Sequence, residues 1–273
     1  MRIFDFNIHL PRNTARTGNG GDTDERHLKA ADLTQSLRSH LPALNQVAAA
    51  NFMLFNTTLF DRAAEFETFS AFAEQHFSPA VFTALVDFRK PNVAAYLERA
   101  RAAGVQGIKF HSYIQRIAPA DFPHVLETCR VAEAEGFFIC IDTSYGTSNM
   151  YTHDNLRLAC SVADHITEAP IILLHSGGAR VLEAMLLADE KKNVYLETSF
   201  SIAYYQRASI YGDFAFAYKK IGTNRVLYAS DHPYIDAQES ADLTVRYLEA
   251  HDFAADQIEA IMHHNAMRLL GHG

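Results

Sequence analysis

Arg2-Ile3-Phe4-Asp5-Phe6-Asn7-Ile8-His9-Leu10-Pro11 sets large apolar residues against short polar ones. Side chains in a strand repeat every two residues. Phe4, Phe6, Ile8 and Leu10 are therefore expected on one face, and Ile3, Asp5, Asn7 and His9 on the other. Three polar groups in one row of an apolar strand are costly to bury unless they are hydrogen-bonded or bind something. Pro11 ends the element. Two readings stand open at this point. The stretch is either a barrel strand whose inner face climbs into a site, or an edge strand with an ordinary solvent face.

The rest of the chain repeats a strand–helix alternation. Residues 12–27 are rich in Gly, Asn, Thr and Asp and form a loop after the first strand, placed to act as a lid. No Gly-Lys-Ser/Thr follows its glycines, so it is not a phosphate loop. A helical pattern over 28–50 carries Leu33, Leu37, Leu41, Leu44 and Val47. Further strands are expected at 51–59, 78–87, 104–111, 137–142, 170–175, 193–198 and 225–230. Helices are expected at 63–76, 92–103, 119–135, 155–165, 180–189, 202–221, 236–249 and 254–269. Short apolar strands suit a sheet covered by helices, with both strand faces buried. Eight such units predict an α/β fold, a (β/α)8 TIM barrel, as a single domain over 1–273. A doubly wound open sheet is the alternative, and it usually brings a phosphate-binding signature that is absent here.

Composition narrows the function classes. Of 273 residues, 48% are apolar, which supplies a large core. The net charge is -8, from 24 basic and 32 acidic residues, and no basic run stands out, so a nucleic-acid partner is not expected. Cys129, Cys140 and Cys160 are odd in number and lie in apolar segments, as buried thiols in a reducing compartment do. No apolar run reaches the roughly eighteen residues of a membrane span. A cytoplasmic protein with a small-molecule substrate, and a possible homodimer, is the expectation.

In such a barrel the chemistry lies at the C-terminal ends of the strands. Those ends carry Asn7 and His9, Lys109 and His111, Asp142, His175, Ser199, and Asp231 and His232. Any one histidine alone reads most simply as structural; their convergence on one barrel mouth points to a site. Imidazoles and carboxylates are suitable ligands for Zn, Mn or Fe. Asp231 can take a proton from water, and Lys109 can bind a substrate carboxylate or stabilise developing negative charge. Without metal, His9, His175 and Asp231 would hold water or substrate directly, with His175 or Asp231 as base. His111 and Tyr113 should face the mouth. Tyr204, Tyr205 and Tyr211 either line the pocket or pack a helix. Arg12 and Arg16 in the loop could meet a carboxylate.

Five segments in order carry a family resemblance: Asp5-Phe6-Asn7-Ile8-His9, Gly107-Ile108-Lys109, His175-Ser176-Gly177-Gly178, Ser230-Asp231-His232-Pro233 and Asn265-Ala266-Met267-Arg268-Leu269. The chain resembles the amidohydrolase superfamily, in its amidohydrolase-2 branch of small-substrate hydrolases, lactonases and nonoxidative decarboxylases. The resemblance runs from Met1 to about Leu270 and implies an amidohydrolase-like barrel. It also marks departures: Asn7 stands where the first metal-binding histidine is expected, and Asp142 replaces the histidine at the end of strand five. The implied ligand set is Asn7, His9, Asp142, His175 and Asp231, with Lys109 as a further catalytic residue and His111, Tyr113, Ser199 and His232 toward substrate. The implied activity is hydrolysis of a small carboxylate-bearing lactone, cyclic ester or amide, with Asp231 as general base. A divalent metal is possible, and metal-free operation is a serious alternative. A nonoxidative decarboxylase, or a degenerate binding member, stands behind it.

Overall fold

A computed structural model of the 273-residue chain describes residues 1–11, 25–144 and 148–272. Most of the lid stretch 12–27, with Arg12 and Arg16, lies outside these described residues, as do residues 145–147.

Eight parallel strands form one sheet in sequence order: β1 Ile3–Ile8, β2 Val47–Leu54, β3 Ala80–Leu85, β4 Gly107–His111, β5 Phe138–Asp142, β6 Ile171–Leu174, β7 Val194–Glu197 and β8 Val226–Leu227. The ring closes between β1 and the end of β8. Ile8 bridges His232 in parallel, Phe6 N–H donates to Tyr228 O, Asp231 N–H to Asn7 O and His9 N–H to His232 O. The structure is therefore the (β/α)8 barrel that the alternation predicts.

Helices α1 Ala30–His40, α2 Ala63–Glu74, α3 Val93–Ala102, α4 Phe122–Ala134, α5 Asn155–Ala163 and α6 Val181–Glu190 follow β1 to β6. After β7 come a short α7 (Ser201–Tyr204) and α8 (Tyr211–Ile221), where the sequence suggests one continuous helix. The chain ends with α9 Ala237–Ala250, α10 Ala255–Glu259, a π-helical turn Ala260–His264, and α11 Asn265–Leu269. None of the described helices is long and apolar enough to cross a membrane. Cys129 and Cys140 are buried, whereas Cys160 lies on the exposed side of α5 and corrects the expectation of three buried thiols.

The first helical pattern stops at His40, and β2 begins at Val47 rather than Asn51. The Ala-rich run 48–50 supports either state by composition. The sheet wins because Ala49 and Ala50 pair with Phe4 and Asp5 of β1.

Two apolar layers divide the core. The inner one fills the barrel with Phe4, Phe6, Ala49, Met53, Val81, Leu85, Phe138, Cys140, Ile172, Leu174, Leu227 and Ala229. The outer one joins strand residues such as Phe52, Phe82, Ile108, Ile139 and Leu173 to the helices. Parity along each strand decides the layer. Counting up from Cys140, Asp142 faces inward, as do Lys109 and His111 counting from Gly107. Burying one aromatic side chain contributes on the order of 1.5–3 kcal/mol, so the phenylalanines of these layers are major stabilisers.

β1 departs from its expected faces. Phe4 and Phe6 point into the barrel, whereas Ile3, Ile8 and Leu10 lie in the outer layer. The cause is a register shift in the β1–β2 pairing between Asp5 and Ile8. A bulge of this kind inserts an unpaired residue and re-aims the side chains beyond it. The alternation is thus broken in the middle of the stretch, and Asn7 and His9 turn inward above the Phe4/Phe6 floor. Asn51 on β2 supports the bulge. Its Nδ2 donates to Phe6 O at 3.0 Å, and its Oδ1 accepts from Thr83 Oγ1 at 2.9 Å.

Candidate active site

Asp142, at the inner end of β5, is the centre of the upper barrel. Lys109 Nζ lies 3.1 Å from its Oδ2, His175 Nε2 3.3 Å and His111 Nε2 3.5 Å. Its Oδ1 accepts from Ser144 Oγ at 2.5 Å, and Ser144 Oγ meets Tyr113 Oη at 3.2 Å. Burial opposes ionisation of Asp142, but His111, Lys109 and His175 outweigh it and hold the carboxyl well below the usual range. Burial also opposes the Lys109 charge; the Asp142 and Asp231 carboxylates overcome it and raise the ammonium pKa above 10.5.

His9 occupies the opposite side. Its Nδ1 is 3.0 Å from Glu25 Oε2 and its Nε2 3.5 Å from Asp231 Oδ1. Burial disfavours the imidazolium, yet Glu25 and Asp231 lift its pKa to about 10. Asp231 is resisted by burial and favoured as a carboxylate by the His9 hydrogen bond and by the charges of His175, His9 and Lys109, so its pKa is lowered. Its backbone sits at φ 64, a left-handed conformation that a side chain tolerates at a cost of about 1–3 kcal/mol.

His175 is fixed by the turn that follows β6. His175, Ser176, Gly177 and Gly178 all have positive φ. Gly177 is required there, since a Cβ would stand 2.7 Å from the Ala184 Cβ in a strained conformation. Thr143 Oγ1 accepts the Gly177 N–H at 2.7 Å, and Ser176 Oγ donates to Glu197 O at 2.6 Å. His175 Nδ1 then meets Ser199 Oγ at 2.9 Å. Burial lowers the pKa of His175, and Asp142 reverses this and raises it to about 9.

Glu197 anchors this corner from the inner face of β7. Its carboxylate accepts the Ser199 hydroxyl at 2.6 Å, the His175 N–H at 3.2 Å and the Ser199 N–H. Asp5 plays the same part at the ring's closing seam, accepting Ser230 Oγ at 2.5 Å and Ser230 N–H at 2.9 Å. Burial raises the Asp5 pKa to about 7 despite those hydrogen bonds.

The strand-end residues thus meet in one place, with one exception. Asn7, His9, Lys109, His111, Asp142, His175, Ser199 and Asp231 share the upper barrel. His232 follows Asp231 on the other side of the chain, and its Nε2 is taken by His40 Nδ1 of α1 at 2.8 Å. Tyr204 is largely exposed, and Tyr211 packs on Tyr247 of α9. Sequence reasoning misses Glu25 and Glu197. Glu25 follows a stretch of sequence whose composition carries no signal of a site. Glu197 carries a signal, a lone carboxylate inside an apolar strand.

The donor set is a poor fit to a divalent cation in this arrangement. Among the described residues no three His, Cys, Asp or Glu side chains form a metal-holding group. Its carboxylates are also partnered within the site. Glu25 and Asp231 meet His9, and Asp142 meets Lys109 and His175, so a dication would displace these partners and meet an ammonium beside its best carboxylate. Such an arrangement can polarise a carbonyl and accept a proton without a metal.

The amidohydrolase family profile matches residues 4–272. No match was found among curated protein sequences. Solved structures similar in fold include an uncharacterised TIM-barrel protein of Bordetella bronchiseptica, 15% identical with a TM-score of 0.73, covering 100% of this chain and 99% of that one. A 2,6-dihydroxybenzoate decarboxylase from Rhizobium is 15% identical with a TM-score of 0.68, covering 99% and 98%. A probable 2-pyrone-4,6-dicarboxylic acid hydrolase of Acinetobacter baumannii, solved with citric acid, is 14% identical with a TM-score of 0.65, covering 99% and 100%. At these identities the likeness is one of fold.

Proposed function

This chain belongs to the amidohydrolase family, and from that premise we propose that it hydrolyses a small carboxylate-bearing lactone or cyclic ester by metal-independent attack of water. One observation carries the reading: the strand-end carboxylates already have cationic side chains as partners, with Lys109 3.1 Å from Asp142 and His9 3.5 Å from Asp231.

Asp231 is the general base. It is held ionised by cationic neighbours, and a lowered pKa makes it a weak base. Proton transfer to a weak base has little driving force, so the electrophile must be reactive on its own. A lactone or enol ester meets that demand, and an amide does not. Water attacks the carbonyl carbon while its proton passes to Asp231. The carbonyl oxygen gains negative charge, which the buried Lys109 ammonium and His175 imidazolium stabilise. An ammonium has three N–H donors, and the contact to Asp142 uses one of them. The ring C–O bond then breaks, and the proton on Asp231 passes to the leaving oxygen. His111, whose pKa burial drives down to about 3, stays neutral and can accept a hydrogen bond from substrate.

The test is a pair of probes on protein purified without added metal and dialysed against chelator. Ring opening of 2-pyrone-4,6-dicarboxylate is followed by absorbance, and decarboxylation of 2,6-dihydroxybenzoate by CO2 release. Lactone opening that survives chelation is expected, and Asp231→Asn should lower kcat by about 10²–10⁴-fold. Decarboxylation without lactone opening, or lactone opening that returns only with added Mn or Zn, would reject the reading.

A further inference from the structure

Beside Ser199 one buried polar atom is left without a partner. A serine hydroxyl has one proton to give and two lone pairs to fill. Ser199 Oγ donates to Glu197 Oε2 at 2.6 Å, so its other neighbours must donate to it. These are His175 Nδ1 at 2.9 Å and Asn7 Nδ2 at 3.2 Å. The orientation of the Asn7 amide is therefore fixed, nitrogen toward Ser199 and oxygen away from it. Asn7 Oδ1 then has no hydrogen-bond partner among the described residues, on a side chain with no solvent exposure. An unfilled buried acceptor costs about 1–3 kcal/mol.

The backbone has been shaped to aim this group. The β1 bulge turns Asn7 into the barrel, and Asn51 secures the carbonyl just before it. The main-chain oxygen of Asn7 accepts the Asp231 N–H at 3.0 Å, so the base and the amide spring from adjacent backbone across the seam.

We propose that Asn7 Oδ1 holds the attacking water, making Asn7 a catalytic residue that works in tandem with Asp231. The assignment rests on the hydrolase reading above. A water molecule has two protons. One is accepted by Asp231 and transferred as the new C–O bond forms. The other is accepted by Asn7 Oδ1 and stays on the oxygen, passing into the carboxyl group of the product. With both protons held, the directions of the two lone pairs are fixed, and one of them can face the substrate carbonyl. An amide oxygen suits this task because it accepts without titrating and adds no charge to a cluster of paired charges. A histidine at this position would add either a third imidazolium or a metal ligand.

The experiment is a crystal structure of the substrate-free, metal-free protein at a resolution that places ordered water. One water within hydrogen-bond distance of both Asn7 Oδ1 and the Asp231 carboxylate is expected. A protein donor on Asn7 Oδ1, or a water there that does not reach Asp231, overturns the assignment. Kinetics on the lactone probe supply a second readout, with folding checked by thermal melt. Asn7→Ala should lower kcat about 100-fold with KM unchanged, and Asn7→Ser, which restores an acceptor, should recover part of the loss. A rise in KM at constant kcat would mark Asn7 as a substrate contact and overturn the proposal. A wild-type protein that leaves the lactone intact strikes the hydrolase reading; a missing or one-sided water strikes Asn7 whatever the turnover.

Discussion

Lys109 keeps a charge almost wholly buried because Asp142 lies 3.1 Å away. Removing one member of a buried ion pair leaves the other charge uncompensated. Lys109→Met should cost about 3–5 kcal/mol in a denaturant melt. The double variant Lys109→Met/Asp142→Asn should recover part of that loss; an equal or larger loss would show that the two charges are not coupled. The histidines set a pH dependence. The pKa of His175 is raised from 6.5 to about 9 and that of His9 to about 10. Their protonation favours the folded state, so this stabilisation is complete below pH 6.5 and is lost as pH rises through 9 to 10. Asp142, lowered below 3.8, works the other way and is lost in acid. The melting temperature should therefore decline as pH rises from about 6.5 toward 10. His175→Gln should flatten part of the alkaline decline, and an unchanged slope would reject the His175 contribution. Most of these groups could be read from the sequence because strand ends in a barrel converge. Glu25 could not, since no periodicity encodes its meeting with His9 across 16 positions.

At the scale of elements, the strands were legible and their faces were not always so. Short apolar runs ending in polar residues mark a covered parallel sheet, and all eight are present. Alternation failed on β1, where a bulge inserts one residue and reverses the facing of those after it. Nothing in Phe4-Asp5-Phe6-Asn7-Ile8 announces that break, because its support comes from Asn51 and Thr83 on other strands. Asn51→Leu should leave the Phe6 carbonyl unmet, costing about 1–3 kcal/mol, and should depress turnover by misaiming Asn7 and His9. Stability lost without any change in kcat would separate the bulge from the site. β4 has a steric counterpart. A Cβ on Gly107 would lie 2.1 Å from the Phe138 ring inside the barrel. Gly107→Ala should destabilise by about 1–3 kcal/mol, and Phe138→Leu in the same chain should relieve the clash. A double variant no more stable than Gly107→Ala alone would show that strain at β4 has another source.

Across the molecule, two nested apolar layers and a closed ring predict that residues 1–273 unfold together. Calorimetry should give one transition whose calorimetric and van't Hoff enthalpies agree, and two separable transitions would reject a single cooperative unit. The ring has a further consequence, which lies in time rather than in space. Asn7 and His9 belong to the first strand and Asp231 to the end of the last, and they face each other only across the seam that shuts the barrel. More than two hundred residues separate these partners, so their contact carries a large loop-closure cost and waits on synthesis of the eighth strand. A nascent chain lacking its eighth strand has neither the closed seam nor the meeting of His9 with Asp231. A ligand gripping both sides of the seam would favour the closed ring by mass action, as a chaperone for its closure.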